Sequence, residues 1–138
     1  MKRIKDILED NVGGEYDLNP KLLEGVKLKN EVYPGYGEIE ILGHVRNRQN
    51  QSRRIISTEG ISPCLGAFTH GYAHGYIKDN ERIRRFTPKE FFRLMGLNEY
   101  EIDIIQETKI SETQQYKLAG NSIVVNVLEE IFKRLLVH

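Results

Sequence analysis

The sequence has few of the residues that mark secreted and membrane-spanning proteins. It contains one cysteine, Cys64, in 138 residues, so an internal disulfide is excluded and a reducing compartment is expected. No apolar run approaches the ~20 residues that a transmembrane helix needs. No apolar signal-peptide segment follows Met1. These absences predict a cytoplasmic protein with no membrane partner.

An excess of charge of one sign is also missing. Lysine and arginine total 20, as do aspartate and glutamate, so the formal net charge is 0. This balance excludes a globally basic nucleic-acid-binding protein, and any contact with nucleic acid must come from a local patch. A length of 138 residues predicts one domain, or one domain with a small appendage.

Potential metal ligands are sparse. Cys64, His70 and His74 are spaced as zinc ligands can be, but a structural zinc site commonly has four ligands, including a close cysteine pair. We therefore predict no metal site. The repeated His-Gly-Tyr in residues 70–76 fits a flexible hairpin tip and DNA contact about equally well.

A local basic patch is present in residues 46–54, RNRQNQSRR, which combine arginines with amides and contain no acid. Arginine contacts phosphates and guanine edges, whereas asparagine and glutamine pair with adenine edges. The absence of acid favours DNA contact over an ordinary solvated loop. The candidate DNA-binding residues of this stretch are Arg46, Arg48, Gln49, Gln51, Arg53 and Arg54.

Alternating apolar residues around this patch predict strands. Residues 38–46 form one strand, residues 53–67 form a hairpin with its turn at Glu59-Gly60, and residues 76–83 form a strand, a turn and a strand. The N-terminal residues 1–12 have helical spacing, and a second short helix begins at Asn19-Pro20.

Capping signals predict the later helices. Thr87, Pro88 and Glu90 form a capping box with proline at the first helical position, and Gly96 ends that helix. Ser111 opens another helix, which Gly120 is expected to end in a left-handed conformation. A last amphipathic helix starts near Ser122 and continues to the C-terminus, with more apolar positions than one narrow stripe requires.

Three of these stretches resemble the DNA cytosine-5 methyltransferases. GNSIV at residues 120–124 resembles the last signature motif of the family, and RRFTPKEFFRLMG at residues 84–96 resembles the penultimate one. GISPCL at residues 60–65 is similar to the Ile-Ser-Pro-Thr-Leu stretch that lies against DNA, with Cys64 replacing threonine. Two motifs in the family's order are far more specific than either alone.

The resemblance implies roles for individual residues. Asn121, Ser122 and Ile123 are expected to face S-adenosylmethionine, and Cys64 and Leu65 to lie against DNA. Arg84 is a further DNA-binding candidate, although it is equally suited to clamping the recognition region onto the next helix. The nucleophile of the family lies in a Pro-Cys dipeptide, but Pro63-Cys64 is not interpreted as that dipeptide. No Gly-rich donor loop precedes it, and no Glu-Asn-Val-like motif follows it. No catalytic residue is predicted.

The resemblance covers only the last third of the family. It implies an α+β fold: a small, irregular, β-rich target-recognition domain with flanking helices, and a C-terminal helix that completes a catalytic domain dependent on S-adenosylmethionine. The predicted regions are N-terminal linker helices (1–30), the target-recognition region (31–86) and a helical segment with the last two motifs (87–138).

The implied function is to recognise double-stranded DNA and complete the cofactor pocket of a cytosine-5 methyltransferase in a bacterial or phage setting. The chain alone is predicted to be inactive and to need a catalytic half or subunit, with S-adenosylmethionine bound only by the pair. The exposed apolar side of the last helix also allows self-association. The alternative is a DNA-binding or regulatory module that acts without catalysis.

Overall fold

A computed structural model describes residues 3–28, 31–32, 39–47, 51–64, 75–122 and 124–136. Several residues singled out from the sequence lie outside this part of the chain: Arg48, Gln49, Leu65, His70, His74 and Ile123. The side chain of Gln51 is also outside it. The described residues form a mixed α+β structure, which confirms the predicted fold class.

The centre of the fold is a five-stranded sheet with the spatial order β1-β2-β3-β4-β5. Neighbouring strands are antiparallel except for β3 and β4, which are parallel with Ile55 opposite Tyr76. A shift in register between Ile41 and Gly43 marks an irregularity in the pairing of β2 with β3. The strands are β1 (Glu31–Val32), β2 (Glu40–His44), β3 (Arg54–Ser57), β4 (Tyr76–Asp79) and β5 (Arg82–Arg84).

The strand predictions are confirmed in part. Strand β2 lies within residues 38–46, and β4 and β5 form the predicted strand, turn and strand, with Asn80 left-handed in the turn (φ 54°). The predicted hairpin over residues 53–67 is wrong, because residues 61–64 form no strand. Strand β3 instead pairs with β2 and β4.

The described residues form five α-helices besides the sheet, and the starts of several follow the capping chemistry. Thr87 and Glu90 form the predicted reciprocal capping box, and Ser111 accepts a hydrogen bond from the backbone N–H of Gln114. Asn98 caps the intervening helix, where its side chain accepts a hydrogen bond from the backbone N–H of Glu101. The helices are α1 (Pro20–Leu23), α2 (Pro88–Leu94), α3 (Glu99–Glu107), α4 (Glu112–Asn121) and α5 (Val125–Leu136).

The N-terminal segment is less helical than its spacing predicts. Only a 3₁₀ turn, Ile4–Asp6, forms in the described part of the first 12 residues, and the backbone N–H groups of Ile4 and Lys5 donate to the carbonyls of Gly60 and Thr58 at 2.9 Å each. These bonds tie the segment to the end of β3 in place of a longer helix.

Two clusters of buried side chains form the core. The larger one joins the N-terminal turn, the sheet and helices α2, α3 and α4, and so contains residues from each of the three predicted regions. Phe91 packs edge-on against Tyr116, with ring centroids 5.0 Å apart. The members of this cluster are Ile4, Ile7, Ile56, Ile77, Phe86, Phe91, Phe92, Met95, Ile102, Tyr116 and Ala119.

The smaller cluster lies on the opposite face of β3 and β4. It contains Leu18, Leu42, Val45, Ile55 and Tyr76, with side chains of α1 packed beside it. Because Ile55 and Ile56 are consecutive, they point to opposite faces of β3 and enter different clusters. Strand β3 is therefore covered on both faces.

Candidate functional site

The turn between α4 and α5 holds the predicted cofactor-binding residues. Helix α4 continues through Gly120 to Asn121, so the prediction that Gly120 ends it in a left-handed conformation is wrong. Ser122 is the capping residue instead; its backbone is extended (φ −79°, ψ 155°), and its N–H donates to the carbonyl of Ala119 at 3.2 Å. Asn121 and Ser122 are exposed, and Ile123 is outside the described residues.

A groove of about 1080 Å³ opens beside this turn. It is lined by the irregular segment of residues 61–64, by Met95 and Gly96 at the end of α2, and by residues of α5 from Asn126 to Arg134. Ser122 and Cys64 line this same groove. The structure therefore brings a predicted cofactor residue and a predicted DNA-side residue to one surface.

Helix α5 is amphipathic, yet none of its described residues is buried. Five of its large apolar side chains are between 47% and 78% exposed, among them Val127 at 53% and Leu135 at 62%. At 100° per residue they span about half of the helix circumference. This exposed apolar surface of α5 comprises Val127, Ile131, Phe132, Leu135 and Leu136.

The arginines of the basic patch lie at the end of the sheet where β2 stops and β3 starts. Arg46 is exposed and has a left-handed backbone (φ 55°, ψ 27°), which is uncommon for a residue with a side chain. Arg53 and Arg54 are partly exposed, and Arg54 lies opposite His44 in the β2–β3 ladder. Three of the predicted DNA-binding arginines are thus brought together at one end of the sheet.

Cys64 lies apart from these arginines. They precede β3 or begin it, whereas residues 61–64 follow its other end. A strand of four residues is about 13 Å long at 3.3 Å per residue. The predicted DNA-binding residues therefore fall into two groups, one beside the basic end of the sheet and one in the groove.

Arg84 does not belong to either group, because its burial favours the alternative role of clamping the sheet onto the next helix over DNA contact. Its side chain is 0% exposed, and its guanidinium donates to both carboxylate oxygens of Glu90 at 2.8 Å each. It also donates to Asp79 Oδ2 at 3.0 and 3.1 Å. Burial opposes the charge of Arg84, but the hydrogen bonds to the two carboxylates outweigh burial and raise its pKa above the ordinary value. Arg84 clamps the sheet onto α2.

Arg85 is held just as locally. Its guanidinium lies 4.6 Å from the centre of the Tyr16 ring, a cation–π contact, and donates to the Tyr116 hydroxyl at 3.3 Å. Tyr16 donates in turn to Glu112. The pKa of the Tyr16 phenol is raised above its usual range, mainly by burial and secondly by the hydrogen bond to Glu112. This cluster joins the N-terminal segment to α4.

Arg93 connects the groove to the N-terminal segment, a role that the sequence does not predict. Its guanidinium donates to the carbonyls of Ile7 and Leu8 at 3.0 and 3.1 Å and to Glu99 Oε1 at 2.8 Å. Arg93 also lines the groove. No sequence pattern around Arg93 indicates these contacts, because two of its partners are backbone carbonyls about 85 residues earlier in the chain.

The Arg93–Glu99 pair predicts a pH-dependent contribution to stability. Hydrogen bonds from Arg93 and then Lys89 lower the pKa of Glu99 from 4.5 to about 2. A lowered pKa in the folded state stabilises the chain above pH 4.5, and this contribution is lost as the pH falls toward 2. The effect is small, because the Glu99 side chain is 57% exposed to solvent.

Glu99→Gln is therefore expected to lower the free energy of unfolding slightly at pH 7, with the difference from wild type shrinking between pH 4.5 and pH 3. Urea unfolding across that range measures it. Glu107→Gln, which changes an exposed carboxylate at the far end of α3, is the control. A difference that stays constant with pH would contradict the assignment.

Comparison with known proteins identifies the family. The model of the C-5 cytosine-specific DNA methylase family matches residues 1–137. The chain belongs to this family. The resemblance of its motifs to cytosine-5 methyltransferases is thereby confirmed at the level of the family.

Individual methylase relatives agree with this membership. The chain is 40% identical to the orphan methyltransferase M.SPRI of Bacillus phage SPR over 100 residues, which are 70% of this chain and 22% of that protein. It is 38% identical to the type II methyltransferase M.HhaI of Haemophilus parahaemolyticus over 85 residues, 59% of this chain and 24% of that protein. The chain thus spans about a quarter of the length of these relatives.

The fold of this methylase chain also has a solved counterpart. The crystal structure of S. pombe Dnmt2 methyltransferase matches 98% of the chain and 42% of its own length, with a TM-score of 0.59 and 24% sequence identity. This match shows the methyltransferase fold for the chain. Within the described residues, no helix is long and apolar enough to cross a membrane, and no cluster of potential metal ligands occurs.

Proposed function

We propose that this chain is the DNA-recognition and cofactor-pocket-completing portion of a DNA (cytosine-5-)-methyltransferase. It works only with a catalytic half, joined to it or separate, that transfers methyl from S-adenosylmethionine to C5 of cytosine. The supporting observation is the groove, which places Ser122 and residues 61–64 on one surface beside the exposed apolar surface of α5. A surface of this kind is typical of a face that packs on another domain.

The cofactor-side residues fit this role. Ser122 is an exposed polar residue that lines the groove together with Met95 and Val124, and Asn121, also exposed, precedes it in the chain. Polar groups that orient a ligand beside an apolar wall are usual in cofactor sites. We propose that Asn121, Ser122 and Ile123 complete the S-adenosylmethionine site, while the catalytic half supplies the remaining walls and every catalytic residue.

The basic end of the sheet is the proposed contact with double-stranded DNA. Arg46, Arg53 and Arg54 lie there together, and Arg48, Gln49 and Gln51 belong to the same stretch of sequence. Cys64 and Leu65 would approach the DNA from the groove side. Relatives from Bacillus phages and from bacteria suggest a cytoplasmic setting for this activity.

Arg46→Ala is expected to weaken DNA affinity and to reduce the salt dependence of binding, with the slope of log K against log salt falling by about 0.9 for each phosphate that the variant no longer neutralises. Electrophoretic or fluorescence titrations of duplex DNA at several salt concentrations measure both quantities. Lys117→Ala removes an exposed cation on α4 and serves as the matched control. Equal slopes for wild type and Arg46→Ala would contradict the proposed contact.

Reconstitution tests the function as a whole. The chain is mixed with a separately expressed N-terminal catalytic half, identified by co-purification and mass spectrometry, and transfer of labelled methyl from S-adenosylmethionine to duplex DNA is measured. Transfer is expected only when both proteins are present. Methyl transfer by the chain alone, or an assembled pair without transfer, would contradict the proposal.

The second candidate is a DNA-binding or regulatory module that acts without catalysis, which the arginines at the end of the sheet favour. It predicts salt-dependent DNA binding by the chain alone and no methyl transfer in any mixture. Self-association through the apolar surface of α5 is compatible with this candidate, and light scattering of the chain alone detects it.

A further inference from the structure

We propose that Gly96 is a positioning residue for the cofactor-side turn: the end of α2 holds the start of α5, and thereby Asn121, Ser122 and Val124, in place. The proposal rests on the proposed function, because it concerns the same S-adenosylmethionine site. From the sequence, Gly96 is only the residue that ends a helix. The structure shows that this glycine also lies against the start of α5.

The contact between the end of α2 and the start of α5 is close. The backbone N–H of Val125 donates to the carbonyl of Met95 at 2.9 Å, which leaves the first turn of α5 hydrogen-bonded to the residue before Gly96. A Cβ atom added at Gly96 would lie 3.3 Å from Val125 Cβ and 3.4 Å from Asn126 Oδ1. Gly96 also has a left-handed backbone, with φ +89°.

Helix α2 is anchored at both ends, so we do not expect it to move when a side chain is added at position 96. At its start, Glu90 is buried and bound to Arg84 of β5. Near its end, Arg93 is bound to the carbonyls of Ile7 and Leu8. Helix α5, in contrast, has no buried residue in its described part. A side chain at position 96 would therefore displace α5 rather than α2.

A displacement of α5 reaches the cofactor-side turn directly. Only residues 122–124 separate the end of α4 at Asn121 from the start of α5 at Val125. Helix α4 is fixed by Tyr116 and Ala119 in the core, so the short connection must absorb any movement of α5. Ligand-binding groups lose much of their effect when they are misplaced by about 1 Å.

The first test uses the chain alone. Hydrogen exchange of the Val125 amide is compared between wild type, Gly96→Ala and Gly25→Ala. Gly25 is the matched control, because it is also left-handed (φ +76°) but a Cβ there would meet no atom within 4 Å. Faster exchange at Val125 in Gly96→Ala only is expected; equal exchange in the two variants would overturn the proposal.

The second test uses the chain assembled with its catalytic half. Calorimetry with S-adenosylhomocysteine is expected to show binding weakened by about tenfold or more in Gly96→Ala, and little changed in Gly25→Ala. The affinity for duplex DNA is expected to stay within about twofold of wild type, because the arginines lie at the end of the sheet. Unchanged S-adenosylhomocysteine affinity in Gly96→Ala would overturn the positioning role.

A compensating variant separates the contact from backbone strain. In the double variant Gly96→Ala with Val125→Gly, the Cβ added at position 96 no longer meets a Cβ at position 125. This variant is expected to recover much of the lost affinity for S-adenosylhomocysteine. Gly96→Asn, which tolerates a left-handed backbone better than alanine does, is the second variant if Gly96→Ala does not fold. It is expected to show the same fast Val125 exchange.

The two tests also distinguish this proposal from the proposed function. If the wild-type pair binds no S-adenosylhomocysteine while Gly96→Ala still accelerates Val125 exchange, the proposed function fails and Gly96 keeps only the role of holding α5. If the wild-type pair binds the ligand and all glycine variants behave alike, the proposed function stands and the role of Gly96 is refuted.

Discussion

Arg84→Met is expected to destabilise the chain by about 3–5 kcal/mol, the cost of removing one partner from a buried ion pair. Glu90, whose side chain is 0% exposed, would lose both hydrogen bonds from the guanidinium. The free energy of unfolding in urea measures the loss. A chain of this size has about 5–15 kcal/mol of total stability, so the expected loss is a large fraction of it.

Two further variants make this prediction specific. Arg82→Met changes the neighbouring arginine of β5, whose pair with Asp17 is 38% and 41% exposed, and is expected to cost about 1 kcal/mol or less for that pair. Arg84→Met with Glu90→Leu removes both buried charges and should recover a large part of the lost stability. Equal losses for Arg82→Met and Arg84→Met would contradict the assigned role of the buried pair.

Val127→Asp is expected to weaken association with the proposed catalytic half by about 100-fold or more, because it places a charge on the exposed apolar surface of α5 that is proposed to pack on that half. The change should leave the isolated chain folded, since Val127 is 53% exposed. Isothermal titration of the chain with the catalytic half measures the affinity, and thermal unfolding of the chain alone checks the fold.

The choice of position 127 depends on the structure. The sequence alone predicts that Val124→Asp and Val127→Asp act alike, as both valines lie on the apolar side of the last helix. Val124, however, is partly buried against the larger core cluster, so Val124→Asp should also lower stability. Glu129→Ala, on the polar side of α5, is the control. Full affinity in Val127→Asp would show that α5 does not form the interface.

Helix α2 connects the first family motif, residues 84–96, with the start of α5, which follows the second motif. Its start is bound to the sheet through Arg84 and Glu90, and its end is bound to α5 through Met95 and Val125. A single rigid element of seven residues therefore connects the sheet that carries the arginines with the turn that carries Asn121 and Ser122. The orientation of one relative to the other follows from this connection.

Local features of the fold were predictable because their chemistry is contained within a few residues. The capping box of Thr87 and Glu90 and the proline after Asn19 satisfy backbone groups no more than a turn away. The alternation in β2 and the turn between β4 and β5 are equally local. The motif order at residues 84–96 and 120–124 was sufficient to indicate the family.

Features that depend on distant partners were decided by the tertiary structure. The spacing of residues 53–67 did not distinguish a hairpin from a strand that pairs in parallel with β4, because both need the same apolar residues. In the sequence, Arg84 is as suited to DNA contact as any other arginine. Only the structure shows that it is paired with Glu90 and Asp79. Gly96 and Val127 acquire their proposed roles only because α5 returns to the end of α2 while leaving its own apolar surface uncovered. Periodicity along a chain specifies which side of an element is apolar, whereas long-range packing decides which of those sides are covered and which charges are buried.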